Sequence, residues 1–216
     1  PFDSADKWLE YFKRVPVGAM SARLPSTQTY RNVVEALQAT VDVPLLVVAN
    51  MEHGASDLPD SGTDFPSLMA AGAANDPALV AELGRATARE ARYVGINWCL
   101  TPVVDLNYNY DNPVTNIRAL SDQPERVVNL APALIDALQA NGVAATAKHF
   151  PGDGVDNRDQ HLVTGINNLP FDQWLETFGY VWRQVIDAGV WTIMPGHISL
   201  PDYQGFAANP YEAPPA

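Results

Sequence analysis

The sequence holds a single cysteine, Cys99, among its 216 residues, so no disulfide can form within the chain. Positive charge is also scarce. Thirteen Lys and Arg stand against 25 Asp and Glu, for a net charge of −12, and the basic residues form no cluster. That balance argues against nucleic acid and against an anionic membrane surface as partners, and favours a neutral, sugar-like ligand. No apolar run approaches the roughly 20 residues a membrane span requires, and the opening "PFDSADKWLEYFK" lacks the organisation of a signal peptide. These absences point to the cytoplasm, with secretion open because a leader can be removed before numbering begins.

What is present is a core-forming composition, 47% hydrophobic and 18% charged, sufficient for one domain over residues 1–216. A helix, glycine, strand unit recurs along it. "NDPALVAELGRATAREARYVGINWCLTPVVD" opens with a capping Asn75 or Asp76 and Pro77, spaces Leu79, Leu83, Ala86 and Val94 at helical intervals, and passes Gly95 into an apolar strand. "QPERVVNLAPALIDALQANGVAATAKHF" repeats it with Val127, Leu130, Leu134 and Leu138 on one stripe, Pro132 as a candidate kink, and a stop at Asn141-Gly142. A third helix is predicted through Trp174, Phe178, Val181 and Val185, and a fourth unit lies upstream in "YRNVVEALQATVDVPLLVVAN". Strands fall near residues 17–21, 45–50, 97–104, 143–149 and 190–197. Apolar strands separated by helices form a parallel sheet buried on both faces.

An open doubly wound sheet and an incomplete eight-stranded barrel both fit, and 216 residues are short of the roughly 250 of a complete barrel. Polar groups sit where the strands finish: Asn50 and Glu52, Asp105, Lys148 and His149, then His197. Four strands delivering polar side chains to one rim is the barrel pattern, although open sheets also bind ligands at strand ends.

The densest chemistry is "KHFPGDGVDNRDQH", residues 148–161. Pro151-Gly152 suits a type II turn, which reverses the chain beyond the strand. Asp159 and His161, two apart, would point the same way in an extended segment. A carboxylate beside an imidazole fixes its tautomer and poises it to give and take a proton. Lys148 admits two readings besides ligand binding, an ordinary salt-bridging lysine or a Schiff-base lysine. Asp153, Asp156 and Asp159, spaced by three, do not match a calcium loop, and no zinc-type spacing occurs, so neither metal nor cofactor is expected. Trp174, Trp182 and Trp191 read as core rather than as sugar-stacking platforms.

This motif resembles the signature of family 3 glycoside hydrolases in their β-N-acetylglucosaminidase branch, where Lys-His-Phe-Pro-Gly-x-Gly precedes Asp-x-His. The resemblance extends through "VPLLVVANMEHG", "FPSLMAAGAANDPALVAELGRATARE", "GINWCLTPVVDLN" and "NPVTNIRALSDQPERV". It implies a (β/α)₈ TIM-type barrel of which these residues form the N-terminal portion, about five of eight units. It further implies His161 as general acid/base with Asp159 as its orienting partner, and a small carbohydrate substrate held by Lys148, His149, Arg118 and Asn50, with Asp105 buried in support. Glu52 and His53 are read as bracing the rim as readily as touching a ligand.

Three positions depart from the resembled pattern: Asn50 stands for a common Asp, Asp153 for a common His, and Gln160 for a common Ser or Thr. A retaining glycosidase also needs a carboxylate nucleophile. The family's Ser-Asp-x-x-x-Met type motif has no match after His197, in "ISLPDYQGFAANPYEAPPA", and the Ser-Asp of "LSDQPERV" opens a helix. The nucleophile is therefore expected beyond residue 216, with the rest of the barrel supplied by a C-terminal part. The resemblance leaves room for a β-glucosidase or phosphorylase variant and for a catalytically silent carbohydrate-binding barrel.

Overall fold

The computed structural model describes residues 4–56, 58, 60, 62–206 and 214–216. In chain order its elements are α1 (Ala5–Arg14), β1 (Ala19–Met20), α2 (Thr27–Gln38), β2 (Leu46–Ala49), α3 (Leu68–Ala74), α4 (Pro77–Tyr93) and β3 (Trp98–Cys99). A 3₁₀ turn (Asn116–Arg118) leads to α5 (Pro124–Ala140), β4 (Ala144–Phe150), β5 (Gly165–Ile166), α6 (Phe171–Glu176), α7 (Phe178–Asp187), β6 (Thr192–Pro195), β7 (Ile198–Ser199) and α8 (Pro201–Gln204). Residues 207–213 of the C-terminal stretch quoted above lie outside the described residues.

The helix boundaries follow from capping chemistry. Asp76 is the cap of α4, its Oδ1 accepting the Ala78 and Leu79 amides at 2.9 and 3.4 Å, while Asn75 in left-handed backbone (φ 50°) ends α3. Pro77 and Pro124 occupy first turns, where a missing N–H costs nothing. Leu79 is a correction: it is exposed, and Val80 takes the buried position beside Leu83. α5 runs unbroken through Pro132 and buries the expected Val127, Leu130, Leu134 and Leu138. The third helix divides in two. Its break falls at Thr177 (φ −113°, ψ −89°), whose hydroxyl donates back to the Gln173 carbonyl at 2.7 Å. Trp174 from α6 and Trp182 from α7 then both donate their indole N–H to the Pro151 carbonyl, at 3.0 and 3.2 Å.

The five main strands are parallel and lie side by side in chain order, β1-β2-β3-β4-β6. A doubly wound sheet reverses its strand order at a switch point, and none occurs here, so the winding is that of a barrel wall. The strands are shorter than the apolar runs suggested, β3 most of all. Beyond it the chain still bonds to β4: the Thr101 and Pro102 carbonyls accept the Thr146 and Lys148 amides at 2.9 and 3.2 Å, and the Val104 N–H donates to the Lys148 carbonyl at 2.9 Å. Buried side chains from α2, α4, α5 and α7 pack against the strands in one cluster. A second, two-stranded sheet pairs β5 with β7. Trp191 is another correction: it is 60% exposed, just before β6, an edge strand with no further strand beside it among the described residues. Among those residues no helix is long and apolar enough to cross a membrane.

Candidate active site

β4 delivers Lys148 to the rim on a strand that is buried along most of its length, and the lysine side chain is only 2% exposed. A buried ammonium needs a counter-charge. Glu52 supplies it from the loop after β2, accepting from Lys148 Nζ at 2.6 Å. The same carboxylate takes a two-pronged contact from Arg118, Nη2 and Nε each donating at 2.8 Å, and Arg118 Nη1 donates to the Val114 carbonyl at 2.8 Å. Arg118 is thus a fixed fork at the end of the 3₁₀ turn, not a solvated loop side chain. Burial alone would push Glu52 up; the Arg118 hydrogen bonds and the Lys148 charge outweigh it and bring Glu52 down to about 2. Burial also pushes the Lys148 ammonium down, against the pull of Glu52.

Asp105, fully buried, organises the next residue of β4. Its Oδ2 accepts the His149 Nδ1–H at 2.7 Å and its Oδ1 accepts the His149 amide at 3.1 Å. The carboxylate can only accept, so Nδ1 carries the hydrogen and Nε2 is the ring nitrogen left for a ligand. Asp105 Oδ1 also accepts the amide of Asp153 at 2.8 Å, which ties the following loop to the same anchor.

That loop explains its glycines. Gly152 (φ 129°) and Gly154 (φ 105°) lie in backbone that side chains resist. A Cβ would fall 2.1 Å from the Phe178 ring at the first and 2.1 Å from the Leu106 carbonyl oxygen at the second. Asp153 between them is 3% exposed; burial, then the Asp105 charge, raises it to about 6. Its oxygens accept from Asn112 Nδ2 at 2.8 Å, the Gly154 amide at 2.7 Å and Gln160 Nε2 at 2.6 Å.

Asp159 and His161 do meet, but through a turn rather than an extended segment. The Asp159 carbonyl accepts from the Leu162 and Val163 amides, and its Oδ1 accepts both the His161 amide at 2.9 Å and His161 Nδ1–H at 2.7 Å. An aspartate reaching its own backbone two residues on is the device that closes this turn. The ring stands 67% exposed, with Nδ1 engaged by Asp159. The hydrogen bonds of His161, above all to its backbone amide, hold the Asp159 carboxyl below its ordinary value.

Asn50 is exposed at the end of β2, on the wall of a cavity of about 380 Å³ shared with Ser21, Arg23, Tyr30 and Ser56. Glu52, Arg118 and Lys148 do not line that cavity. Sequence reasoning left the role of Glu52 open and missed Asn112. A glutamate two residues past a strand end signals the first; no local pattern signals the second, which reaches Asp153 from 41 residues away.

The glycosyl hydrolase family 3 N terminal domain matches residues 13–214. A beta-N-acetylglucosaminidase/beta-glucosidase of Cellulomonas fimi is 42% identical over 203 residues, 94% of this chain and 36% of that protein. A beta-hexosaminidase of Methylobacillus flagellatus is 32% identical over 78% of this chain and 50% of its own length. Among solved structures, that of the beta-glucoside phosphorylase BglX bound to 2FGlc superimposes with a TM-score of 0.88 at 36% identity, over 96% of this chain and 38% of that one. The chain therefore spans half or less of the length of these three relatives. With a matching domain, consecutive parallel strands and a carboxylate-bound His rim, the chain belongs to glycosyl hydrolase family 3 and forms the N-terminal part of its barrel.

Proposed function

We propose that this chain is the acid/base-bearing part of a retaining glycosidase acting on terminal β-linked N-acetylglucosamine or a related β-hexose. The observation that carries the reading is the Asp159–His161 pair, bonded at 2.7 Å, on a loop anchored beside Lys148, Arg118 and His149. The names of the Cellulomonas and Methylobacillus relatives support the substrate class. In this reading Lys148 and Arg118 donate to sugar oxygens and His149 Nε2 accepts from a hydroxyl. A carboxylate nucleophile outside these 216 residues attacks the anomeric carbon while His161 Nε2 gives its proton to the leaving oxygen. His161, then basic, takes a proton from water as the water oxygen attacks the anomeric carbon and displaces the carboxylate, so the sugar leaves with retained configuration.

Replacing His161 by Ala in the full-length protein tests the role. Turnover of a glycoside with a poor leaving group is expected to fall by roughly 100-fold or more, and that of an activated nitrophenyl glycoside far less. Equal losses on the two substrates rule the acid role out. The phosphorylase neighbour favours a second reading, in which phosphate replaces water as acceptor. Formation of a sugar 1-phosphate when inorganic phosphate is supplied separates the two.

A further inference from the structure

Positions 153 and 160, the two at which the 148–161 motif was found to depart from the pattern it resembles, are bonded directly to each other. Both are buried, Asp153 at 3% exposure and Gln160 at 5%, although Gln160 lies between the half-exposed Asp159 and the exposed His161. Every polar atom of the Gln160 carboxamide is used: Nε2 donates to Asp153 Oδ2 at 2.6 Å and Oε1 accepts the His197 amide at 2.9 Å. A flipped amide would satisfy neither partner, so the orientation is fixed. Gly196 makes room for it, since a Cβ there would lie 2.6 Å from Gln160 Oε1. The hydrogen bonds of Asp159 and His161 stay within their own turn. Among the described residues, every hydrogen bond from 159–163 to the rest of the molecule passes through the Gln160 side chain.

We infer that Asp153 and Gln160 form a positioning clamp: the pair seats the acid/base turn on the barrel, so His161 is placed for proton transfer by a bond that neither member of the dyad makes. The inference rests on the proposed role of His161. The clamp is continuous with the sugar-facing side, because the Asp153 amide and the His149 amide share Asp105 Oδ1. It touches no reacting atom, and its effect is on geometry alone.

The test is a reversal of hydrogen-bond polarity in the full-length protein. In D153N the new side chain keeps its oxygen on Asn112 and Gly154 and turns an NH₂ toward Gln160 Nε2, two donors face to face. In Q160E two carboxylates meet. In D153N/Q160E the introduced amide donates to the introduced carboxylate, whose other oxygen still accepts the His197 amide. Each single variant is expected to lower kcat on a poor-leaving-group glycoside by roughly 10- to 100-fold. KM and turnover of an activated glycoside should barely change, and amide exchange across 161–163 should quicken. The double variant should recover most of both losses.

Two results overturn the clamp: singles that alter both substrates equally without faster exchange, or a double whose loss equals the product of the singles. Should D153N fail to fold, Q160E and Q160A carry the same comparison. If the wild-type protein cleaves no glycoside, the functional reading falls, and exchange across 161–163 still decides whether the pair holds the turn.

Discussion

Replacing Glu52 by glutamine would remove the carboxylate bonded to both Lys148 and Arg118, whose side chains are 2% and 28% exposed, and leave only the more distant charges of Asp105 and Asp153 to offset them. Stripping one partner from a buried pair costs about 3 kcal/mol or more, and that loss is expected for E52Q in urea denaturation. A loss below about 1 kcal/mol would mean that solvent compensates the cations. Protonation of the two shifted carboxyls acts in opposite directions. Glu52 is lowered from 4.5 to about 2, so its contribution is present above pH 4.5 and is lost as pH falls toward 2, about 3 kcal/mol in all. Asp153 is raised from 3.8 to about 6, so its contribution is full below about pH 4 and is lost as pH rises through 6. Stability measured across pH 4 to 6 should therefore decline in the wild type and flatten in D153N; an unchanged slope would show that another group titrates there. At this scale part of the rim was legible: Lys148, His149 and Asp105 announce themselves by type and by position after strands, whereas Arg118, on a loop, entered only through the family resemblance. Gln160 and Asn112 did not announce themselves, because a buried carboxamide gains its meaning only from distant partners.

The elements were legible where a cap or a glycine punctuated them and blurred where tertiary contact overrode periodicity. α4 starts at Asp76 because its carboxylate reaches two amides, a purely local event. The division of the third helix at Thr177 answers instead to Pro151, a carbonyl that two tryptophans reach from opposite sides of the break. Two glycines separate packing from backbone strain. Gly189 has φ 79° with nothing within 4 Å of a Cβ, whereas Gly152 has φ 129° with the Phe178 ring at 2.1 Å. G189A is expected to cost about 1 kcal/mol. G152A should cost clearly more, because Phe178 and with it α7 must retreat. Similar melting temperatures for the two would show that this loop yields easily.

As a molecule, the chain presents five strands of a wall that curves but does not close on itself among the described residues. The consecutive order is what a barrel needs, and the sequence conveyed it through its repeated unit more clearly than through strand length. The cost of an open wall appears at the flanks, where Val17 and Leu46 near β1 and Trp191 and Ile193 near β6 are 40 to 60% exposed. Unpaired, apolar strand edges recruit other strands. The 216-residue chain produced alone is therefore expected to self-associate with rising concentration, as light scattering would report. A monomer at all concentrations would mean that these edges are shielded.

The shared carbonyl of Pro151 carries one last consequence. Trp174 and Trp182 are buried indoles fastened to the first residue of the turn that leads toward the dyad, and Phe150 lies edge-on to Trp182 with ring centroids 5.3 Å apart. Their ultraviolet emission is thus a built-in gauge of whether that segment is seated, readable without any label and before a single glycoside is added.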